Sequence, residues 1–140
     1  MRYAASKDII AIRLNEGDDI HESIKQVCIE NNIDSAVVLS ALGMISSVTF
    51  GWFTGNEYLT ETNNETLELV SITGDVSYKG ETLYPHLHAT FNRPDHSVIS
   101  GHILQAKVHN NAEIFLLPLS SIFLNRQFDG WFDALAPEKR

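Results

Sequence analysis

The chain has 140 residues, 44% hydrophobic and 20% charged, a composition that suits one compact domain with its own core and argues against intrinsic disorder. Its formal net charge is −8 and it holds one cysteine, so its charge balance disfavours unaided binding to nucleic-acid phosphates and no disulfide can close within it. No run approaches the roughly 18 apolar residues of a membrane helix, and Met1 to Asp8 lacks the apolar stretch of a secretory signal; a cytoplasmic protein with no membrane partner is the expectation.

Ile9 to Leu14 reads as a first strand, mostly apolar and β-branched. Asn15-Glu16-Gly17 is a turn, and Asp18 is placed to cap a helix, with Asp19 and Glu22 near its positive end. Ile20, Ile24, Val27 and Cys28 recur at helical spacing and predict one buried stripe, ended at Asn31-Asn32. Cys28 on that stripe reads as a small core residue, not a nucleophile. Ser35 to Leu42 predicts a strand, interrupted at Gly43 before a second one, Ser46 to Phe53. Tyr58 to Thr62 reads as an edge strand, and Thr66 to Val76 as another, with a bulge at Gly74. A hairpin follows, Leu83 to Phe91 and Val98 to His109, joined across residues 92–97. Asn110-Asn111 then turns into a last strand, Glu113 to Leu117. Ser120 to Leu135 reads as a short C-terminal segment whose aromatics, Phe123, Phe128, Trp131 and Phe132, require a packing surface. Hairpin connections dominate, which predicts an α+β domain spanning residues 1–140, with a mostly antiparallel sheet and one main helix.

Five of the six histidines fall in this hairpin, and three of them, His86, His88 and His102, can share one face. Strand alternation puts His86 and His88 on one face. A turn near Pro94-Asp95 brings His102 opposite His88, where paired Cβ atoms lie about 5 Å apart. That spacing suits three imidazoles around one divalent transition metal, zinc first among them, with a fourth position left for a water or ligand oxygen. The competing reading has the same histidines bonding the sheet or an interface. His21, His96 and His109 read as surface residues. Glu68 and Glu113 lie on strands as candidates to brace a metal ligand, although solvent exposure or pairing with Arg93 or Arg126 is the simpler reading.

In chain order, Gly43-Met44-Ile45-Ser46-Ser47-Val48, Glu68-Leu69-Val70-Ser71-Ile72-Thr73-Gly74, Pro85-His86-Leu87-His88, Gly101-His102-Ile103-Leu104 and Ala112-Glu113-Ile114 resemble the PPC domain. That domain is free-standing in bacteria and archaea and follows AT-hooks in plant nuclear proteins. The resemblance spans about residues 8–134; Ser100 stands where the family usually has glycine. It implies a PPC-like fold, a homotrimer and retention of the three histidines. It also carries a DNA-binding label that stems from the plant hooks. No Arg-Gly-Arg-Pro hook is present here, so DNA contact without a partner is not expected. The functional reading is a homotrimeric, metal-holding regulatory module that binds a ligand or protein partner. The alternative is a metal-dependent enzyme whose reaction class the sequence does not give.

Overall fold

A computed structural model describes residues 1–140. Nine strands and one helix follow in the order β1 (Arg2–Ala5), β2 (Ile10–Asn15), α1 (Ile20–Glu30), β3 (Ala36–Phe53), β4 (Tyr58–Asn63), β5 (Leu67–Lys79), β6 (Thr82–Asn92), β7 (Val98–Pro118), β8 (Ile122–Phe128) and β9 (Asp133–Lys139). All nine strands join one sheet. Its centre closes on itself: β3 pairs with β5 and β7, and β6 pairs with the same two strands, all antiparallel. The α+β class and the antiparallel bias read from the sequence are therefore present, with one exception: β8 runs parallel to β5.

Alternation sets the core. On β2, Ile10, Ile12 and Leu14 face inward and their neighbours outward. Helix α1 lays Ile20, Ile24, Val27 and Cys28 against the same core, which also takes Leu87, Phe91 and Ile103 from the hairpin. Burial drives the Cys28 thiol up to about 12, so it stays protonated and inert. The helix begins one residue later than the sequence suggested. Asp19 is the N-cap, accepting from the Glu22 amide at 3.2 Å, while Asp18 accepts from the Asn15 amide at 2.8 Å and pairs with the terminal amine of Met1.

Four expectations about the strands are corrected, besides the helix start above and the Gly74 bulge below. First, β1 had no strand signal; it pairs only with β2 and its four residues are exposed, so the sequence carries no apolar alternation there. Second, β3 is one strand and not two. Register shifts absorb the irregularity, the largest being where Met44 alone opposes residues 109–111 between the pairs Gly43–Ala112 and Ile45–Val108. Third, that two-residue excess on β7 is what the sequence showed as a turn at Asn110-Asn111. Asn110 does take a positive φ of 61°, yet β7 runs straight on. Fourth, the C-terminal segment is a full hairpin, β8–β9, docked on the end of β5. Phe123 packs near Tyr78, but Phe128 and Trp131 remain 71% and 76% exposed.

Gly74 is no bulge either. It sits within an unbroken ladder, opposite Leu87, with a φ of +153°. An added Cβ would fall on the His86 carbonyl oxygen, a backbone atom with no freedom to retreat. The glycine thus lets β5 and β6 approach closely where the hairpin carries its histidines. Gly74→Ala should destabilise the fold by roughly 2 kcal/mol or more, through overpacking and backbone strain together. A urea midpoint within error of wild type would contradict this.

Candidate metal centre

The β6–β7 ladder decides which side chains meet. His88 pairs directly with His102, Leu87 with Ile103 and Ala89 with Gly101. The connecting turn spans residues 93–97, closed by Arg93 N–H donating to the Ser97 carbonyl at 3.0 Å. His86, two residues before His88, joins them on the same face. The ring centroids lie 5.3 Å apart for His86–His88, 5.0 Å for His86–His102 and 5.1 Å for His88–His102, nearly an equilateral triangle. One nitrogen from each ring lies within 4.8 Å of the others. Two nitrogens on a tetrahedral zinc would stand about 3.4 Å apart, so closure requires only side-chain rotation.

A gradient of burial crosses the triangle: His88 is exposed, His86 half-buried and His102 buried. Both ring nitrogens of His102 are shielded from solvent and have no hydrogen-bond partner. An orphaned pair of buried polar atoms is unfavourable, by about 1–3 kcal/mol per group. Coordination would relieve it at one nitrogen. Burial, then the proximity of His86 and His88, brings the His102 pKa down to about 4, which leaves the imidazole neutral and free to donate a lone pair at neutral pH. His86 is shifted downward as well, chiefly by burial and then by the Arg126 charge, with Asp75 opposing. The donor set and its protonation therefore fit a divalent transition metal.

Arg126 and Asp75 brace the triangle, and sequence reasoning missed this role for both. Arg126 is 6% exposed; its Nη2 donates to both Asp75 carboxylate oxygens at 3.0 Å, and its Nε to Ser77 Oγ at 3.0 Å. The same Nη2 lies 3.1 Å from His86 Nδ1; a guanidinium only donates, so Nδ1 accepts in the metal-free tautomer, and ligation through the other ring nitrogen would move the ring proton to Nδ1, toward Asp75. Asp75 Oδ2 is 4.0 Å from that nitrogen. The available signal was the register: Asp75 is the residue on β5 opposite His86. Arg126 comes from β8, an element the sequence did not reveal.

The candidate carboxylates lie elsewhere. Glu68 pairs in register with Met44 and Asn92, seven residues along β5 from Asp75, or roughly 23 Å at strand rise. Glu113 sits opposite Arg13 and Leu42, also exposed. Neither belongs to the histidine cluster, and the arginines proposed as their partners are engaged by others: Arg93 by Glu65 at 2.8 Å, Arg126 by Asp75. His96 is exposed in its turn, and His109 lies near Glu16 at 3.3 Å on the surface. His21 departs from expectation. It is partly buried under the sheet, with Nε2 3.0 Å from the Ile103 carbonyl oxygen, and burial lowers its pKa.

A cleft of about 730 Å³ opens beside the triangle and is lined by all three histidines. Strands β3 and β4 form its other wall, where Tyr58 stacks on His102 with ring centroids 5.5 Å apart and planes 29° from parallel.

The sequence profile of the Plants and Prokaryotes Conserved (PCC) domain matches residues 1–120. No curated protein sequence matches the chain. Among solved structures, a plant- and prokaryote-conserved (PPC) protein of Pyrococcus horikoshii is 26% identical, with 99% of this chain and 96% of that one aligned at a TM-score of 0.85. The metal-containing protein AF0104 of Archaeoglobus fulgidus is 28% identical over 99% and 97% of the two chains, at 0.83. A candidate DNA-binding protein of Bacteroides thetaiotaomicron, 24% identical over 99% and 96%, shares the fold at 0.86.

The lowered histidine pKa values have a thermodynamic sign. Between the ordinary value of 6.5 and about 4, unfolded His102 takes up a proton that folded His102 refuses. The unfolded state then binds more protons, so stability of the metal-free protein should fall as pH drops through that window. Urea midpoints in chelator at pH 7, 5.5 and 4.5 should decline more steeply for wild type than for His102→Gln. Parallel declines would contradict the assignment.

Proposed function

The chain belongs to the Plants and Prokaryotes Conserved domain family, and on that premise we propose that it is a homotrimeric binding module that holds one divalent metal, most simply zinc, on His86, His88 and His102. The observation that carries the reading is the buried, partnerless state of both His102 nitrogens at one corner of a triangle of donors. The metal-containing relative from Archaeoglobus fulgidus supports it. A bound cation would supply a Lewis acid at the mouth of the cleft. The protein's own contribution is to keep the His86 and His102 imidazoles neutral, to orient His86 through Arg126 and Asp75, and to screen one side of the site with Tyr58.

Regulation through a ligand or protein partner fits better than direct reading of DNA. The net charge is −8, and the one strongly buried arginine is already neutralised by Asp75. Phosphate contacts from Lys and Arg supply essentially all non-specific DNA affinity. The trimer is supported by apolar surface with nothing over it: Leu39, Leu42, Val70 and Phe115 on β3, β5 and β7 are 50%, 52%, 46% and 36% exposed. Exposure of this kind marks association surfaces.

Metal analysis of wild type and of His86→Ala, His88→Ala and His102→Ala tests the site. Wild type should retain about one ion per chain, and each variant should lose most of it. His88→Ala should keep the fold, because His88 is exposed and outside the core. Equal metal content in all four proteins would mean that the histidines are only neighbours. Sedimentation equilibrium tests the assembly separately. A trimer is expected, and a lone 15.7 kDa species at micromolar concentration would contradict it.

A further inference from the structure

Resting on the metal reading above, we propose that the cleft beside the triad takes a small, planar, largely apolar molecule bearing a single metal-donor group of charge no greater than one, and that it rejects phosphate esters.

The walls set the body of the ligand. Aromatic surface runs outward from the triad without a break. Tyr58 stacks on His102, Phe53 lies 5.3 Å from Tyr58, and Phe132 of the C-terminal hairpin lies 6.4 Å from Phe53. Trp52 and Leu59, paired across β3 and β4, also line the cleft and are 74% and 58% exposed. Such side chains bound a slot into which a flat hydrocarbon slides with ring contact. The walls are concave and continuous with the donor triangle, which distinguishes them from the apolar outer sheet face carrying Leu39 and Leu42.

Charge sets the head group. Apart from the histidines, the only ionisable residues lining the cleft are Tyr58 and Glu61; no Lys or Arg lines it. Arg126, behind His86, has its charge committed to Asp75 and its guanidinium carbon 5.3 Å from the Tyr84 ring centroid. A phosphate ester carries two negative charges and seeks several N–H donors or cations, as arginine forks and helix N-termini provide. Here it would meet one cation and a carboxylate. A single carboxylate, or a neutral nitrogen or oxygen donor, is satisfied by the metal alone, and its apolar remainder by the walls.

The experiment uses cobalt(II)-loaded full-length protein, whose visible absorption reports both loading and any new donor. Benzoate and acetate offer the same donor group and differ by a ring; inorganic phosphate is the third probe. Benzoate should bind at least about ten-fold more tightly than acetate, as burial of a ring requires, and millimolar phosphate should leave the spectrum unchanged. Trp52→Ala should lower the benzoate preference roughly 3- to 10-fold with the ligand-free cobalt spectrum intact; Leu59→Ala serves if that variant does not fold. Equal affinity for the two carboxylates, phosphate bound more tightly than benzoate, or a preference untouched by the cleft variants would overturn the proposal while leaving the metal site standing. Failure to take up cobalt would overturn the metal reading itself, and this one with it.

Discussion

A closed ring of backbone hydrogen bonds, β3 to β5 to β6 to β7 and back to β3, is the constraint on which the rest of the molecule depends. Closing it gives β6 a partner on both sides, so the hairpin that carries the histidines has no free edge on which to slip. Register is the decisive quantity in such a hairpin, since a slip of one residue sends every side chain to the opposite face. The inward set, including Leu87, Phe91 and Ile103, penalises that slip by exposing core surface. Position of the imidazoles is thus secured by hydrophobic burial several residues away. The donors themselves contribute little to holding the geometry.

Around this ring the sheet tolerates irregularity where long strands must bend. Strands β3 and β7 pair over nearly their whole lengths only because bulges take up mismatches, and Met44 opposite residues 109–111 is the largest of them. These defects explain which parts of the fold were legible in the sequence. Alternation on β2, the stripe on α1 and the β6–β7 hairpin are local patterns, and each reads correctly. The interruptions at Gly43 and Asn110-Asn111 are equally visible, but glycine and asparagine at positive φ serve a bulge as readily as a turn. Only the partner strand decides between them. β8 and β9 were missed because β8 joins β5 by a short parallel pairing, and because neither strand has an apolar alternation to announce it, Phe128 being left in solvent.

The site divides along the same line. His86, His88 and His102 follow from parity and turn position, which are local. Asp75 and Arg126 follow from long-range register, which a single sequence does not display. The carboxylates singled out instead, Glu68 and Glu113, shared only the property of lying on strands. Their distance from the triangle shows how little that property means without the partner's identity. A buried arginine is costly unless paired, and removing one member of such a pair typically costs 3–5 kcal/mol. The Arg126–Asp75 contact therefore couples the anchoring of the terminal hairpin to the orientation of His86.

That coupling makes the histidine cluster depend on a late segment of the chain. The family profile stops at residue 120, six positions short of Arg126. In chain order Asp75 and the three histidines all precede the arginine. Without β8, Asp75 would face His86 with no cation beside either of them. Docking of the terminal hairpin is then what turns a generic cluster of imidazoles into a tuned one.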